Sequence, residues 1–595
     1  MYERCGTLIE NKFREYLIPT ILMTVAISVA NVVNSIIVGN LLGETALSAI
    51  GLSAPVIFCL NSVFLLFAIG GVTCVSIAKG RRETEQANRI FTVTFAAGIS
   101  AMFVLPAALL LFMQPVTSVL TQGDGDLAAL TRAYLTPAVF VGPVMMLIMG
   151  MAYFVRTDGK PRIAAYIAIT ANAANLVLTF AFVKFLNLGL TGAGLAITLG
   201  YTTGILVLLP YFRSKQRTLR FVKPQISDIA HIPRIMGTGS PKALTQGLLF
   251  LRALVLNMLI MGSLGSPGMA AMTICFNALM LTAMFISGAN DTLLPIAGTL
   301  YGEKDYPGIR FTARAAFKFM IIASAVMMAL FLILPGEVGR LFGINSPEGL
   351  ALVEPALRMY ALCLPLYGVN TMLQCIFQTT GRVKLAALIV FMNGFGFVLL
   401  FAMMFAAWNM DFFWLSFLLA EAAAFLVILS IGARIRKKES VDGVLLLHKE
   451  HGDEKLLDLS IPATVEAAAG LSEQVINFCK KNGADGFGAA RIGIAAEEMA
   501  VNIANYGRRK NTAAVIDVLI RVTEQELILR LRDSGVPFNP TEYREEEKKE
   551  FAVGGIEVVR RLTKDISYAW QLGFNVSVIT ISRTVLLETE KNIGK

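Results

Sequence analysis

The chain has 595 residues, 55% of them hydrophobic and 16% charged, with a mean hydropathy of +0.64; this is too apolar for one soluble fold and calls for many membrane spans. Residues 1–438 carry 32 Lys and Arg against 18 Asp and Glu, a net of +14, while residues 439–595 carry 20 against 24, a net of −4. The basic excess therefore belongs to the membrane part, where it reports topology and argues against nucleic acid as a partner.

The N-terminus, MYERCGTLIENKFREYLIPT, has charges but no small-residue cleavage site after a short apolar run, so the first apolar segment is expected to be a retained span. Apolar runs long enough to cross the bilayer fall near 15–39, 46–71, 89–113, 132–153, 163–183 and 190–212. A second set falls near 240–263, 268–300, 313–334, 355–378, 385–406 and 411–433, which predicts twelve spans. Basic loops such as KGRRETEQANR, RTDGKPR, RSKQRTLRFVK and RIRKK alternate with poor ones such as NLLGET, QGDGDL, GSLGSPG and WNMDFF. Lys and Arg are retained inside, so the chain is expected in the plasma (inner) membrane with both termini cytoplasmic.

The two sets repeat. FVRTDGKPRIAAYIAI at 154–169 matches FQTTGRVKLAALIVF at 377–391, with Gly159 falling on Gly381. Gly43 with Gly265 and Gly80 with Gly302 share the same offset. Two six-span halves of equal polarity, 1–222 and 223–438, make a parallel repeat about an axis along the membrane normal, with substrate expected between the halves.

Seven cysteines are scattered without a CxxC pair, and none of the three histidines has a metal-ligand spacing with a Cys or another His inside the membrane. Three charges lie inside apolar runs of the second half: Arg252 in LLFLRALVLN, Asp291 in the eighth span and Glu421 in SFLLAEAAAF. Ionisable groups in hydrocarbon are costly unless paired or facing a cavity. Asp291 and Glu421 are expected to take a proton or a cation, with Arg252 pairing one of them.

After Lys438 the pattern becomes that of a soluble α/β domain, residues 439–595. LLDLSIP reads as a strand, 464–481 as a helix stopped at Gly483, and 487–506 as a second helix. AAVIDVLIRV and ELILRLRD alternate like paired strands. DSGVPFNP reads as a loop and TEYREEEKKEF as an acidic stretch. VGGIEVVRRL reads as a Gly-led helix, and SYAWQLGFNVSVITIS as a hairpin turning at Gly573–Asn575. The fold class is thus an all-α polytopic bundle of twelve membrane helices followed by a cytoplasmic α/β sandwich.

IPTILMTVAISVANVVNSIIVGNLLGETALSAIGLSAPV and VRTDGKPRIAAYIAITANAANLVLTFAFVKFLNLGLTGAGLAITLGY resemble the MATE (multidrug and toxic compound extrusion) family over about residues 10–436. The resemblance implies antiport, driven by H+ or Na+, of drug-like amphipathic and often cationic molecules by alternating access. Flippases for lipid-linked substrates in the same superfamily are an alternative. Where many members carry carboxylates thought to couple the ion, this chain has Asn34 and Thr179, which do not titrate.

The tail, about residues 450–586, resembles the GHKL-type ATP-binding fold, and more closely the anti-sigma-factor serine/threonine kinases. AAEEMAVNIANYG carries Glu498, matching the proposed general base, and Asn502, matching the amide that holds Mg2+ against the phosphates. In DSGVP, Asp533 matches the carboxylate for the adenine amino group and Gly535 the close-approach glycine. In VGGIEVV, Gly554 and Gly555 match the Gly-rich turn before a helix whose amides suit phosphate. The family's second turn glycine is Glu557 here, which brings negative charge near the phosphates. The resemblance implies Mg-ATP as cofactor and a small anti-anti-sigma-like protein as partner. With no GxxxxGK[ST] run, ATP is not expected to power transport. The alternative class is a transporter-like receptor signalling through a kinase tail.

Overall fold

The computed structural model describes residues 4–121, 124–214, 217–341, 347–439, 441–448, 455–506, 515–542 and 554–583. Two compact units separate by contact: Phe13–Leu447 form one, and the described residues up to Lys12 join those from His448 onward in the other.

The first half of the chain supplies α1 (Thr7–Leu42), α2 (Glu44–Gly80), α3 (Thr84–Leu111), α4 (Met113–Leu120), α5 (Gly125–Ala138), α6 (Val141–Thr157), α7 (Pro161–Lys184) and α8 (Gly189–Arg213). The second supplies α9 (His231–Gly302), α10 (Tyr306–Ile333), α11 (Pro335–Leu341), α12 (Pro347–Ala361), α13 (Leu364–Thr379), α14 (Val383–Phe391), α15 (Phe397–Trp408) and α16 (Leu415–Lys438). Ten helical segments are long and apolar enough to cross a membrane, and two bent pairs, α5 with α6 and α12 with α13, bring the number to twelve. The protein is a multi-pass membrane protein.

The bends and turns follow the repeat. Pro143 and Pro365 are repeat partners, each in the first turn after its bend, where a proline lacks only a donor that had no partner. Gly159 and Gly381 are partners too and both have positive φ, 88° and 80°, as do Arg82 and Lys304 at 62° and 57°. The loop expected at GSLGSPG is instead helical, since α9 continues through 262–268 and carries spans seven and eight in one element. Gly and Pro are tolerated in membrane helices, and an unbroken helix keeps its own backbone groups paired.

The span expected at 385–406 is interrupted by a π-helical turn, Met392–Gly396, between α14 and α15. Such turns insert one residue into the ladder and re-aim a side chain, frequently at functional sites. Below, Asn393 is that side chain. The aromatic loop WNMDFF forms a single 3-10 turn, Met410–Phe412, with Trp408 and Phe412 stacked at 6.0 Å.

The other unit is an antiparallel sheet in the order β3-β4-β5-β7-β6, formed by β3 (Lys455–Pro462), β4 (Val515–Val522), β5 (Glu526–Asp533), β6 (Asp565–Gln571) and β7 (Phe574–Ser582). A short hairpin, β1 (Val441–Asp442) with β2 (Leu447–His448), precedes it in the chain. The helix expected over 464–481 is broken at Gly470 into α17 (Val465–Ala469) and α18 (Leu471–Lys481), and α19 (Gly486–Tyr506) and α20 (Gly554–Leu562) follow. Alternation aims Ile516, Val518, Ile520, Leu527, Leu529 and Leu531 into one core with Val475, Ile492 and Met499 of the helices. The final hairpin turns at Leu572-Gly573, both with positive φ, rather than at Gly573–Asn575. Two left-handed residues match the strand twist in a two-residue loop, which frees Phe574 and Asn575 to begin β7.

The first described residues belong to this unit. Arg4 Nη1 lies 3.0 Å from Asp458 and Nη2 3.6 Å from Asp517, and the Cys5 amide donates to Ser460 Oγ at 3.2 Å. Lys12 Nζ stands 4.9 Å from the Phe574 ring centroid.

Candidate functional site

Two neighbouring cavities in the membrane unit are lined mainly by the second half, with Ile69 of α2 added in the second. The first, about 90 Å³, is lined by Arg252 of α9, Tyr367 and Gln374 of α13, Asn393 of the π-turn and Glu421 of α16, with apolar walls from Leu249, Leu279, Val398 and Phe417. The second, about 60 Å³, is lined by Lys242, Asn290, Asp291, Cys375 and Gln378. Thr245, Tyr367, Thr371 and Gln374 line both, so the two form one polar track through apolar helices.

Glu421 is held by amides. Asn370 Nδ2 donates to Oε2 at 2.6 Å and to the Glu421 carbonyl at 2.9 Å, and Asn393 Nδ2 donates to Oε2 at 3.1 Å. Hydrogen bonds in a low dielectric are stronger than the same bonds in water. The pairing expected for Arg252 does not form: among the described residues no ion pair within 4 Å joins it to Asp291 or Glu421. Its Nε and Nη2 are buried without hydrogen-bond partners, and its guanidinium stands 5.6 Å from the Phe276 centroid. Asp291 is buried beside Asn290, whose Oδ1 is also an unpartnered buried acceptor. One cavity thus presents open donors and the other an open acceptor next to a carboxylate.

In the first half, Asn34 Oδ1 is buried without a partner and Thr179 donates to Asn175 Oδ1 at 3.4 Å. No hydrogen bond joins Asn34 to Thr179 among the described residues.

In the tail, α19 places Glu498 and Asn502 one turn apart on one face. The N-terminal end of α20 lies against them: a Cβ on Gly555 would stand 2.0 Å from Glu498 Oε2 and 3.5 Å from Asn502 Nδ2. Glycine lets the backbone come this near without moving the carboxylate. Asn502 Nδ2 is buried without a partner, so the cradle holds an amide with bonding capacity to spare. At the end of β5, Asp533 Oδ1 accepts from the Gly535 amide at 2.7 Å and from Asn575 Nδ2 at 2.9 Å. Asn575 Oδ1 in turn accepts from the Tyr568 hydroxyl at 2.9 Å and the Phe538 amide at 3.1 Å. Burial pushes the Tyr568 hydroxyl up to about 12, so it stays a donor. Glu557 lies 3.5 Å from Arg561 and 3.9 Å from Arg560, paired along its own helix. Of the acidic stretch 541–551, all but Thr541 and Glu542 lies outside the described residues.

A model of the MatE family matches residues 19–181 and 241–406, together more than half of the chain. The chain belongs to the MATE family. A model described as a histidine kinase-like ATPase domain matches residues 461–579, so a MATE membrane unit is fused to an ATPase-like tail. Among curated proteins, the multidrug export protein MepA of Staphylococcus haemolyticus is 23% identical over 421 residues, 70% of this chain and 92% of that protein. MepA of Staphylococcus aureus is 22% identical, covering 71% of this chain and 94% of its own. A MOP superfamily transporter from Pyrococcus furiosus shares the fold with a TM-score of 0.67 at 18% identity, over 74% of this chain and 99% of that one. An outward-facing multidrug resistance MATE transporter gives 0.65 at 19%, over 73% and 99%.

Within this MATE unit, sequence reading found the charges Arg252, Asp291 and Glu421 but missed the neutral groups that define their surroundings. Asn290, Asn370 and Asn393 stand alone in SGANDTL, YGVNTML and FMNGFGF. A lone amide in an apolar run was the available signal, since an amide in hydrocarbon also needs a partner. In the tail, Asn575 was read as a turn residue and is a positioning group for Asp533.

Proposed function

We propose that this MATE-family protein exports drug-like amphipathic molecules by alternating access, coupled to H+ or Na+, under the control of a tail that binds Mg-ATP. The observation that carries the transport reading is the polar track of the second half. An open buried acceptor at Asn290 beside Asp291 suits a coupling cation, a proton or the cationic centre of a substrate. Glu421, fixed by Asn370 and Asn393, is the second coupling carboxylate. The alternating basic loops support a plasma-membrane orientation with both termini cytoplasmic. Domain limits at 222 and 438 are part of the same reading.

In the tail, Asn502 would hold Mg2+ against the phosphates, Glu498 would serve as general base, and Gly554 and Gly555 would bring backbone amides to phosphate. Asp533 would accept from the adenine amino group, with Gly535 leaving room for the base. The unpartnered Asn502 Nδ2 is a donor that suits a phosphate oxygen, which leaves its Oδ1 as the atom for Mg2+, and the side-chain-free approach of Gly555 leaves room beside it. Bound Mg-ATP would supply a phosphoryl group for transfer to a Ser on a small anti-anti-sigma-like protein.

The test is flux of a fluorescent amphipathic dye in proteoliposomes under an imposed H+ or Na+ gradient. Gradient-dependent flux is expected. A receptor is the second reading, favoured by the neutral Asn34 and Thr179; it would respond to ligand at the tail without any flux.

A further inference from the structure

Arg252 is only 6% exposed and lines the 90 Å³ cavity. Its Nε and Nη2 have no hydrogen-bond partner. Glu421, the carboxyl group in the same cavity, accepts instead from the Asn370 and Asn393 amides at 2.6 and 3.1 Å. It makes no ion pair within 4 Å with Arg252 among the described residues. The face of Phe276, 5.6 Å from the guanidinium carbon, steadies the cation but accepts no hydrogen bond in the guanidinium plane. A buried guanidinium with open donors is a costly arrangement that a membrane protein keeps where a ligand completes it.

We infer that Arg252 is the seat of an anionic group, a carboxylate, sulfonate or phosphate, on the molecule this protein handles. Guanidinium donors form a planar fork that matches two oxygens of such a group, and burial strengthens each bond. The cavity volume admits a small head group and not a whole amphipathic molecule. The apolar walls, Leu249, Leu279, Val398 and Phe417, accept the first carbons behind it. Asp291, in the adjoining cavity, would meet a cationic centre, so the favoured class is an anionic or zwitterionic amphipath rather than a simple cation. This deepens the export reading and rests on it for the word substrate, but the binding site itself does not need flux.

The test uses the full-length protein in lipid nanodiscs and two probes of one ring system, 8-anilinonaphthalene-1-sulfonate and N-phenyl-1-naphthylamine, which differ by the sulfonate. Probe fluorescence is titrated for the wild type, Arg252→Gln and Arg252→Lys. Arg252→Gln is expected to weaken the sulfonate probe about tenfold or more and leave the neutral probe unchanged, with Arg252→Lys between. A chloride titration read with both probes separates the sources: displacement by chloride of the sulfonate probe from wild type, with the neutral probe and Arg252→Gln unaffected, assigns the seat to a free inorganic anion. Equal weakening of both probes would make Arg252 a wall of the cavity only, and no weakening of either would overturn the inference. A protein inert in flux that still binds the sulfonate through Arg252 would remove the export reading and leave this one standing.

Discussion

Gly80 and Gly302 meet through their backbones, each holding the same place in its own half of the repeat. A Cβ on Gly80 would lie 2.0 Å from the Thr299 carbonyl oxygen and 2.9 Å from Gly302 Cα. A Cβ on Gly302 would lie 2.1 Å from the Ile77 carbonyl oxygen and 2.9 Å from Gly80 Cα. Ile77 and Thr299 are themselves repeat partners, at the same offset as the two glycines, so the contact is reciprocal and the repeat axis passes through it. The obstacle is main chain on both sides, which cannot swing away. Gly302→Ala is expected to lower the stability of the full-length protein by about 1–3 kcal/mol through overpacking. Thermal unfolding in detergent checks this, and an unchanged midpoint would show that α2 and α9 part freely here.

Asp291→Asn and Glu421→Gln separate coupling from scaffolding. Each is expected to abolish gradient-driven flux while the protein still folds, because the amide keeps the shape of the acid and loses its charge. Normal transport by both variants would sink the coupling assignment. Asn370→Leu removes a donor from a buried carboxylate and is expected to cost about 2–3 kcal/mol, seen as a lowered unfolding midpoint.

The tail cradle gives a contrast between binding and stability. The Glu498 carboxylate is the end of a flexible side chain, so Gly555→Ala displaces it at little stability cost, below about 1 kcal/mol. Saturable Mg-ATP binding, measured by calorimetry on the full chain, is expected in wild type and lost in Gly555→Ala and Asn502→Ala. Asn575→Ala should weaken binding by releasing Asp533. Wild type that fails to bind at millimolar ATP would leave the tail as a docking module.

Asp158 gives a pH prediction. Burial alone would raise its carboxyl, but the Lys79 ammonium at 2.9 Å and hydrogen bonds from Thr218 and Tyr211 outweigh it and hold the group below the usual carboxylate range. A folded value below the unfolded one, about 3.9, stabilises fully above the unfolded value. That stabilisation disappears as pH falls through the folded value. Wild type is therefore expected to be indifferent to this group near neutrality and to weaken in acid. Asp158→Asn should be less stable at neutral pH and lose less on acidification, as read from unfolding midpoints across pH.

Arg4 is buried against Asp458 and Asp517, with side-chain exposures of 4% for Arg4 and 4% for Asp517. Arg4→Ala leaves a buried carboxylate short of its cation and is expected to cost the tail unit about 2–4 kcal/mol. Calorimetric unfolding of the full chain would show the loss in the tail transition.

Local pattern and chain-wide repetition were enough to reveal the frame of this protein. Span-length apolar runs, one constant repeat offset and Gly-led turns pointed to a bundle of ten to twelve candidate crossings, because the bilayer enforces length and the repeat enforces position. The strands at 455–462 and 526–533 were legible in the same way, from two-residue alternation. Which groups meet emerged only from the packed molecule. No local rule places Asn370 and Asn393 on Glu421, because the three come from separate elements, one of them a π-turn that only packing creates. Nor does any local rule leave Arg252 unpartnered, turn Glu557 toward Arg561, or fix Asp533 through Asn575. Side-chain partners are settled by geometry between distant elements, and a sequence carries that information only jointly.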